Sequence, residues 1–288
     1  MESLRAHCTT FAREPRPIAA FKHTADCEVD SNLACRELRL ETRRIPPTIV
    51  KHFGLPWLKA EKTSNHVLWI RWNQGDRLRF LERWERTLAL LDGQDLVKPK
   101  IVGMLKNSDQ FLDTITQAEV ASVLLTKGFE IELEANKSGK TPDIFLIREG
   151  ICIEIKNLHT DAVLLEQALT GNAEVVWLRD RLPSAVEEKY DQLPDSYQNM
   201  LVVFAPPEVQ FDEFEDFFID VPTTHNLGTG EVTREKPKGF FYQERVDGTK
   251  IHTKLGAVIM WKNHTRRYLV NPNANIMVVE ELLQKITL

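Results

Sequence analysis

The segment TPDIFLIREGICIEIKN, residues 141–157, constrains this chain more than any other. Its alternation predicts two strands, Asp143–Arg148 and Ile151–Lys156, joined by a tight turn at Glu149-Gly150. A two-residue hairpin there sets Asp143 opposite Lys156, with Glu154 one diagonal away on the same face. Ile144, Leu146, Ile153 and Ile155 then turn to the opposite face. Two carboxylates and an amine converge on one patch of a sheet, a grouping that a soluble sheet rarely tolerates without a bound ion or a reaction to run.

The 288 residues suffice for one large domain or two modest ones, and 42% apolar with 27% charged residues is the balance of an ordinary folded protein. No apolar run is long enough to cross a bilayer, so no membrane association and a cytoplasmic location are expected. Cys8, Cys27, Cys35 and Cys152 are too few and too irregularly spaced for a disulfide framework. Charge is unevenly distributed. Residues 1–100 hold 18 Lys and Arg against 13 Asp and Glu, whereas the remainder holds 19 against 29. Trp57, Trp69, Trp72 and Trp84 fall in the basic third, where WIRWNQGDRLRFLERWER has a composition suited to phosphate contacts and base stacking. A helix with buried Trp and a solvated Arg/Glu face accounts for the same composition.

Along the chain, Asn32–Arg44 reads as a short basic helix ended by Ile45-Pro46-Pro47, Lys51–Leu58 as a connector, and His66–Trp72 as a strand. Asp76–Leu91 is an amphipathic helix, and Lys98-Pro99 suggests a boundary between residues 1–100 and 101–288. Helix Thr116–Lys127, strand Phe129–Leu133 and the hairpin follow. Helices His159–Leu169 and Pro183–Gln192 flank a strand at Val175–Leu178. Strand Met200–Phe204, helix Phe211–Phe218, a long loop or hairpin over 220–250, strand Leu255–Lys262 and helix Met277–Ile286 complete the order. The expectation is an α/β fold of the α+β type: a mixed sheet flanked by helices, with a mainly helical N-terminal extension.

A hard divalent cation such as Mg²⁺ takes oxygen ligands and keeps several waters, so one or two carboxylates suffice to hold it. Asp143 and Glu154 supply these, and the backbone carbonyl of Ile155 offers a third oxygen. Lys156 could orient a water or balance charge in a phosphoryl-transfer transition state. Phosphodiester hydrolysis needs these groups.

On these residues the stretch resembles the PD-(D/E)xK nuclease superfamily, with Pro142-Asp143 and Glu154-Ile155-Lys156 filling the signature. The resemblance implies a restriction-endonuclease-like fold over about residues 114–205, extending loosely through 101–288. It also implies an acidic residue on the helix ahead of the first core strand, which Glu119 matches, and a supporting Lys or Gln on the helix after the hairpin, for which Lys189 and Gln192 are candidates. The implied cofactor is Mg²⁺, with Mn²⁺ as a substitute. The implied activity is cleavage of nucleic acid, DNA ahead of RNA, in restriction, repair or phage defence, with residues 1–100 helping to engage substrate and a homodimer needed for paired cuts.

Blander readings stand beside each residue. Asp143 after proline suits a strand-opening turn, and Glu154 with Lys156 suits a solvated salt pair. Thr116-x-x-Glu119 suits a capping box, and Lys189 and Gln192 an exposed helix face. An inactive nucleic-acid-binding or assembly protein, or an RNA-directed nuclease, would share the same sequence features.

Overall fold

A computed structural model describes residues 45–60, 77–158, 181–205, 211–219, 224–225, 232–233, 239–262 and 265–288. All belong to one compact unit, Ile45–Leu288. The sequence-predicted helices Asn32–Arg44 and His159–Leu169, and strands His66–Trp72 and Val175–Leu178, lie outside the described residues.

Six strands form a mixed sheet: β1 (Ile131–Leu133), β2 (Ile144–Leu146), β3 (Ile151–Asn157), β4 (Gln198–Phe204), β7 (Ala257–Lys262) and β8 (Thr265–Val270), in that spatial order. β1, β2 and β3 are an antiparallel meander, β3, β4 and β7 run parallel, and β8 returns antiparallel beside β7. A separate two-stranded ladder pairs β5 (Thr224–His225) with β6 (Val232–Thr233).

Parallel strands need crossovers; the helices described within them cover one face of the sheet, and helices before β1 and after β8 cover the other. β4 is accordingly apolar from Met200 to Phe204. Met200 and Val202 join Ile151, Ile153, Ile155, Ile259 and Trp261 on one face, against helix α5 (Ser108–Thr126) and helix α8 (Glu280–Thr287). Leu201 and Val203 join Val258 and Met260 on the other, against helix α6 (Arg181–Gln192) and helix α7 (Phe211–Phe218). The 3₁₀ turn Phe240–Tyr242 contributes Phe240 and Phe241 to that second cluster.

A third cluster sits over the first half of α5. Helices α1 (Pro47–Phe53), α2 (Leu55–Ala60), α3 (Arg77–Gly93) and α4 (Pro99–Lys106) bury Ile49, Phe53, Leu58, Leu81, Leu88, Ile101 and Leu105 around Trp84. The Trp84 ring meets Phe53 at 5.0 Å and Phe111 at 5.6 Å between centroids, both edge-on. Trp84 is thus a core residue rather than a stacking platform for bases. The stretch Lys51–Leu58, expected to be a connector, falls within helices α1 and α2, and α1 opens at Pro46-Pro47 because Pro47 occupies the first turn, where no N–H bond is required. The Glu85 carboxylate from α3 accepts from the Thr48 and Ile49 amides and caps that turn.

Helix α5 starts eight residues earlier than Thr116. Asn107 is its N-cap, its side chain accepting from the Asp109 amide at 3.0 Å. Thr116 therefore lies mid-helix, its hydroxyl donating to the Leu112 carbonyl, and the capping-box account of Glu119 fails. The helix ends in a Schellman arrangement: Phe129 N–H donates to the Leu124 carbonyl and Gly128 N–H to that of Leu125. Gly128 takes φ +79° to permit this. Gly128→Ala is expected to cost about 1 kcal/mol, a fall in Tm of about 2–4 °C by calorimetry, since a Cβ disfavours that conformation.

Candidate functional site

The hairpin differs from the tight-turn reading in register but not in face. Ile144 pairs with Ile153 and Leu146 with Ile151, leaving residues 147–150 as the turn. Extending that register puts Asp143 opposite Glu154, not opposite Lys156. The slip is two residues, and side-chain direction has a period of two. Asp143, Glu154 and Lys156 therefore still share the face turned toward α6, while Ile144, Leu146, Ile153 and Ile155 enter the opposite core as expected.

The ladder between β2 and β3 stops at this point for a covalent reason. The next residue in register with Ile155 is Pro142, which has no N–H to return. The Asp143 carboxylate steps in: its Oδ2 accepts from the Ile155 amide at 2.7 Å. A strand residue points its N–H and C=O to the same side, so the Ile155 carbonyl also turns toward Asp143. The Asp143 carbonyl in turn accepts from Gln117 Nε2 on α5 at 2.8 Å and from the Glu134 amide. Asn157, at the end of β3, donates to the Thr116 hydroxyl at 2.7 Å. Helix α5 thus fixes the strand ends that carry the acidic residues.

Glu154 lies in the middle of the sheet, with none of its side chain exposed. Its Oε2 accepts from Lys189 Nζ at 2.8 Å, and its buried Oε1 has no hydrogen-bond partner among the described residues. Burial, and then the nearby negative charge of Asp143, push its pKa up to about 8 against the opposing pull of Lys189. Lys189 spends its three donors on Asp143 Oδ2 (3.1 Å), Glu154 Oε2 and Gln192 Oε1 (3.1 Å). Burial works to lower its pKa, but the charges of Asp143 and Glu154 together outweigh this and raise it. Helix α6 is held in place to do this. The Tyr190 hydroxyl donates to the Ile251 carbonyl and accepts from the Lys254 amide, while Lys140, in the loop before Asp143, donates to the Asp191 carbonyl.

Lys156 faces the same helix but meets a different residue, Glu188, at 2.7 Å. The Glu119 carboxylate accepts from Arg83 of α3 at 2.6 Å. Among the described residues no three His, Cys, Asp or Glu side chains are grouped closely enough to hold a metal ion. The site therefore gathers Asp143, Glu154, Lys156, Lys189 and Gln192. Two contributors escaped sequence reasoning. Glu188 precedes Lys189 in an EEK run and could have been found by placing Lys189 at the site; Gln117 has no signal beyond its helix.

Comparison with protein-family models, characterised proteins and solved structures finds no match.

Glu154, by its burial, makes the stability of the folded chain depend on pH. Its folded pKa is above the ordinary 4.5, so the folded form keeps a proton that the unfolded chain releases. That contribution is complete below about pH 4.5 and is lost as pH rises through about 8, with a slope of at most about 1.4 kcal/mol per pH unit. In EDTA, Glu154→Gln is expected to lose less stability than the unmodified chain between pH 6 and 8.5, read as Tm against pH.

Proposed function

We propose that the chain is a divalent-metal-dependent nuclease, hydrolysing phosphodiester bonds of DNA in preference to RNA on a restriction-endonuclease-like fold. The observation that carries this reading is Glu154: a carboxylate with no exposed surface, beside Asp143, with both closed around one cationic group. A buried carboxylate pair is costly, and a cation is what removes the cost.

The donor set fits a hard metal ion. Asp143 and Glu154 come from adjoining strands and already direct an oxygen each at a shared ammonium. The orphaned Glu154 Oε1 has unused acceptor capacity, and the Ile155 carbonyl faces the same side. Asp143, Glu154 and the Ile155 carbonyl would hold Mg²⁺ or Mn²⁺, with Glu119 as a further carboxylate for the set. When bound, such an ion polarises a phosphoryl oxygen and acidifies water near neutral pH. In hydrolysis a water oxygen bonds to phosphorus, an ester P–O bond breaks, and the departing oxygen takes up a proton. Lys156 lies on the Glu154 face of β3, where its ammonium can hold the attacking water or offset charge gathering on phosphate. Lys189, itself donating to Gln192 Oε1, holds the acidic pair together before an ion binds. A second copy of the chain would be needed for paired cuts in duplex DNA.

One observation favours a second reading, a nucleic-acid-binding or assembly protein without turnover. Lys189 already neutralises the acidic pair, and Glu188 neutralises Lys156, so the charges are satisfied within the chain. Nicking of supercoiled plasmid separates the two. With Mg²⁺ or Mn²⁺ the purified protein is expected to nick DNA, and Asp143→Ala or Lys156→Ala is expected to reduce the rate by at least about 10²-fold. Cleavage that survives both substitutions, or EDTA, would remove the site assignment. Absence of cleavage together with retained DNA binding would favour the second reading.

A further inference from the structure

Resting on the metal reading above, a regulatory feature of the same site emerges from how α6 meets β3. Two consecutive residues of α6 cancel the charges that the chemistry would use. Lys189 covers the acidic pair, and Glu188 covers Lys156. The two pairings are unequal. Glu188 is 56% exposed and Lys156 27%, so water competes for that pair, and exposed pairs contribute little. Lys189 is only 13% exposed and sits against a carboxylate with no exposure at all. Its ammonium places one donor on each strand's carboxylate and a third on Gln192, one helical turn along α6. It lies between the two carboxylates and contacts one oxygen of each, Asp143 Oδ2 and Glu154 Oε2, at the point where an ion bridging the pair would have to approach. A hard ion and an ammonium cannot both occupy that point, since their charges repel and the oxygens are shared.

We propose that Lys189 is a tethered cation that holds the Asp143–Glu154 pair in a closed resting state, and that a divalent metal binds by displacing it. Before loading, Lys189 keeps the two carboxylates together and spares the sheet a buried unpaired charge. On loading, it leaves Asp143 and Glu154 and moves toward solvent, while Gln192 stays as its tether point on the helix. The ion's affinity is therefore set by competition with a residue of the chain itself, and it is weaker than the donor set alone would give.

Two measurements on the full chain at pH 8.5 test this. In the first, an acylating reagent labels lysines with and without saturating Mg²⁺, and mass spectrometry reads Lys189 against Lys51, which is 60% exposed. Labelling of Lys189 is expected to rise at least fivefold with Mg²⁺ while Lys51 is unchanged. In the second, calorimetric titration with Mg²⁺ compares the unmodified chain with Lys189→Gln, which is expected to bind at least tenfold more tightly. Uptake by Lys189→Gln alone also supports the proposal. Mg²⁺ uptake with Lys189 still protected, or equal or weaker binding by Lys189→Gln, overturns the displacement while leaving the metal reading intact. No uptake by either protein overturns both. The labelling arm uses the unmodified chain, so it stands even if the substitution impairs folding.

Discussion

Placing an ionisable carboxylate at the centre of a sheet buried on both faces is the constraint on which the rest of this structure depends. Glu154 sits on β3, between β2 and β4, with its side chain sealed from water. A group in that position must be protonated, paired or bound to an ion. The fold answers with a basic helix residue, and much of the local architecture follows from delivering it. Helix α6 must pass over β3 at Lys189, so it is pinned on one side by Tyr190 against the 251–254 segment and on the other by Lys140 from the loop before Asp143.

The short β2 belongs to the same arrangement. A longer hairpin ladder would pair Ile155 with residue 142 and close the space beside Asp143. Proline at that position denies the return hydrogen bond, so the strands part and the Asp143 side chain takes over as acceptor. The acidic pair is thus made by backbone chemistry as much as by the charges themselves. Helix α5, on the opposite face, stabilises the opening through Gln117 and Thr116, whose polar side chains reach strand ends rather than solvent.

Much of this was legible in the chain. The alternation of 143–156 placed Asp143, Glu154 and Lys156 on one face, and that survived an incorrect turn length because a two-residue slip preserves parity. The apolar run Met200–Phe204 of β4 and the helices α3 and α7 were equally readable. Other features misled. Lys51–Leu58 read as a connector, yet it falls within α1 and α2, and α1 opens at Pro47 under the cap from Glu85. Thr116 and Glu119 have capping-box spacing, yet Asn107 starts the helix two turns earlier. Trp84, by contrast, follows the reading of a helix with buried Trp, since it is a core residue.

By itself, then, the sequence determined the face on which the charged residues of β3 emerge and the kinds of element around them, because periodicity and local propensity act within a few residues. Tertiary structure alone decided which partner each charge meets. Lys189 reaches Glu154 across 35 residues of sequence, Arg83 draws Glu119 toward α3 across 36, and Glu188 claims Lys156 across 32. No local pattern encodes those pairings. They arise where packing of both sheet faces brings helix and strand together, and where burial leaves a charge no alternative to the neighbour it is given.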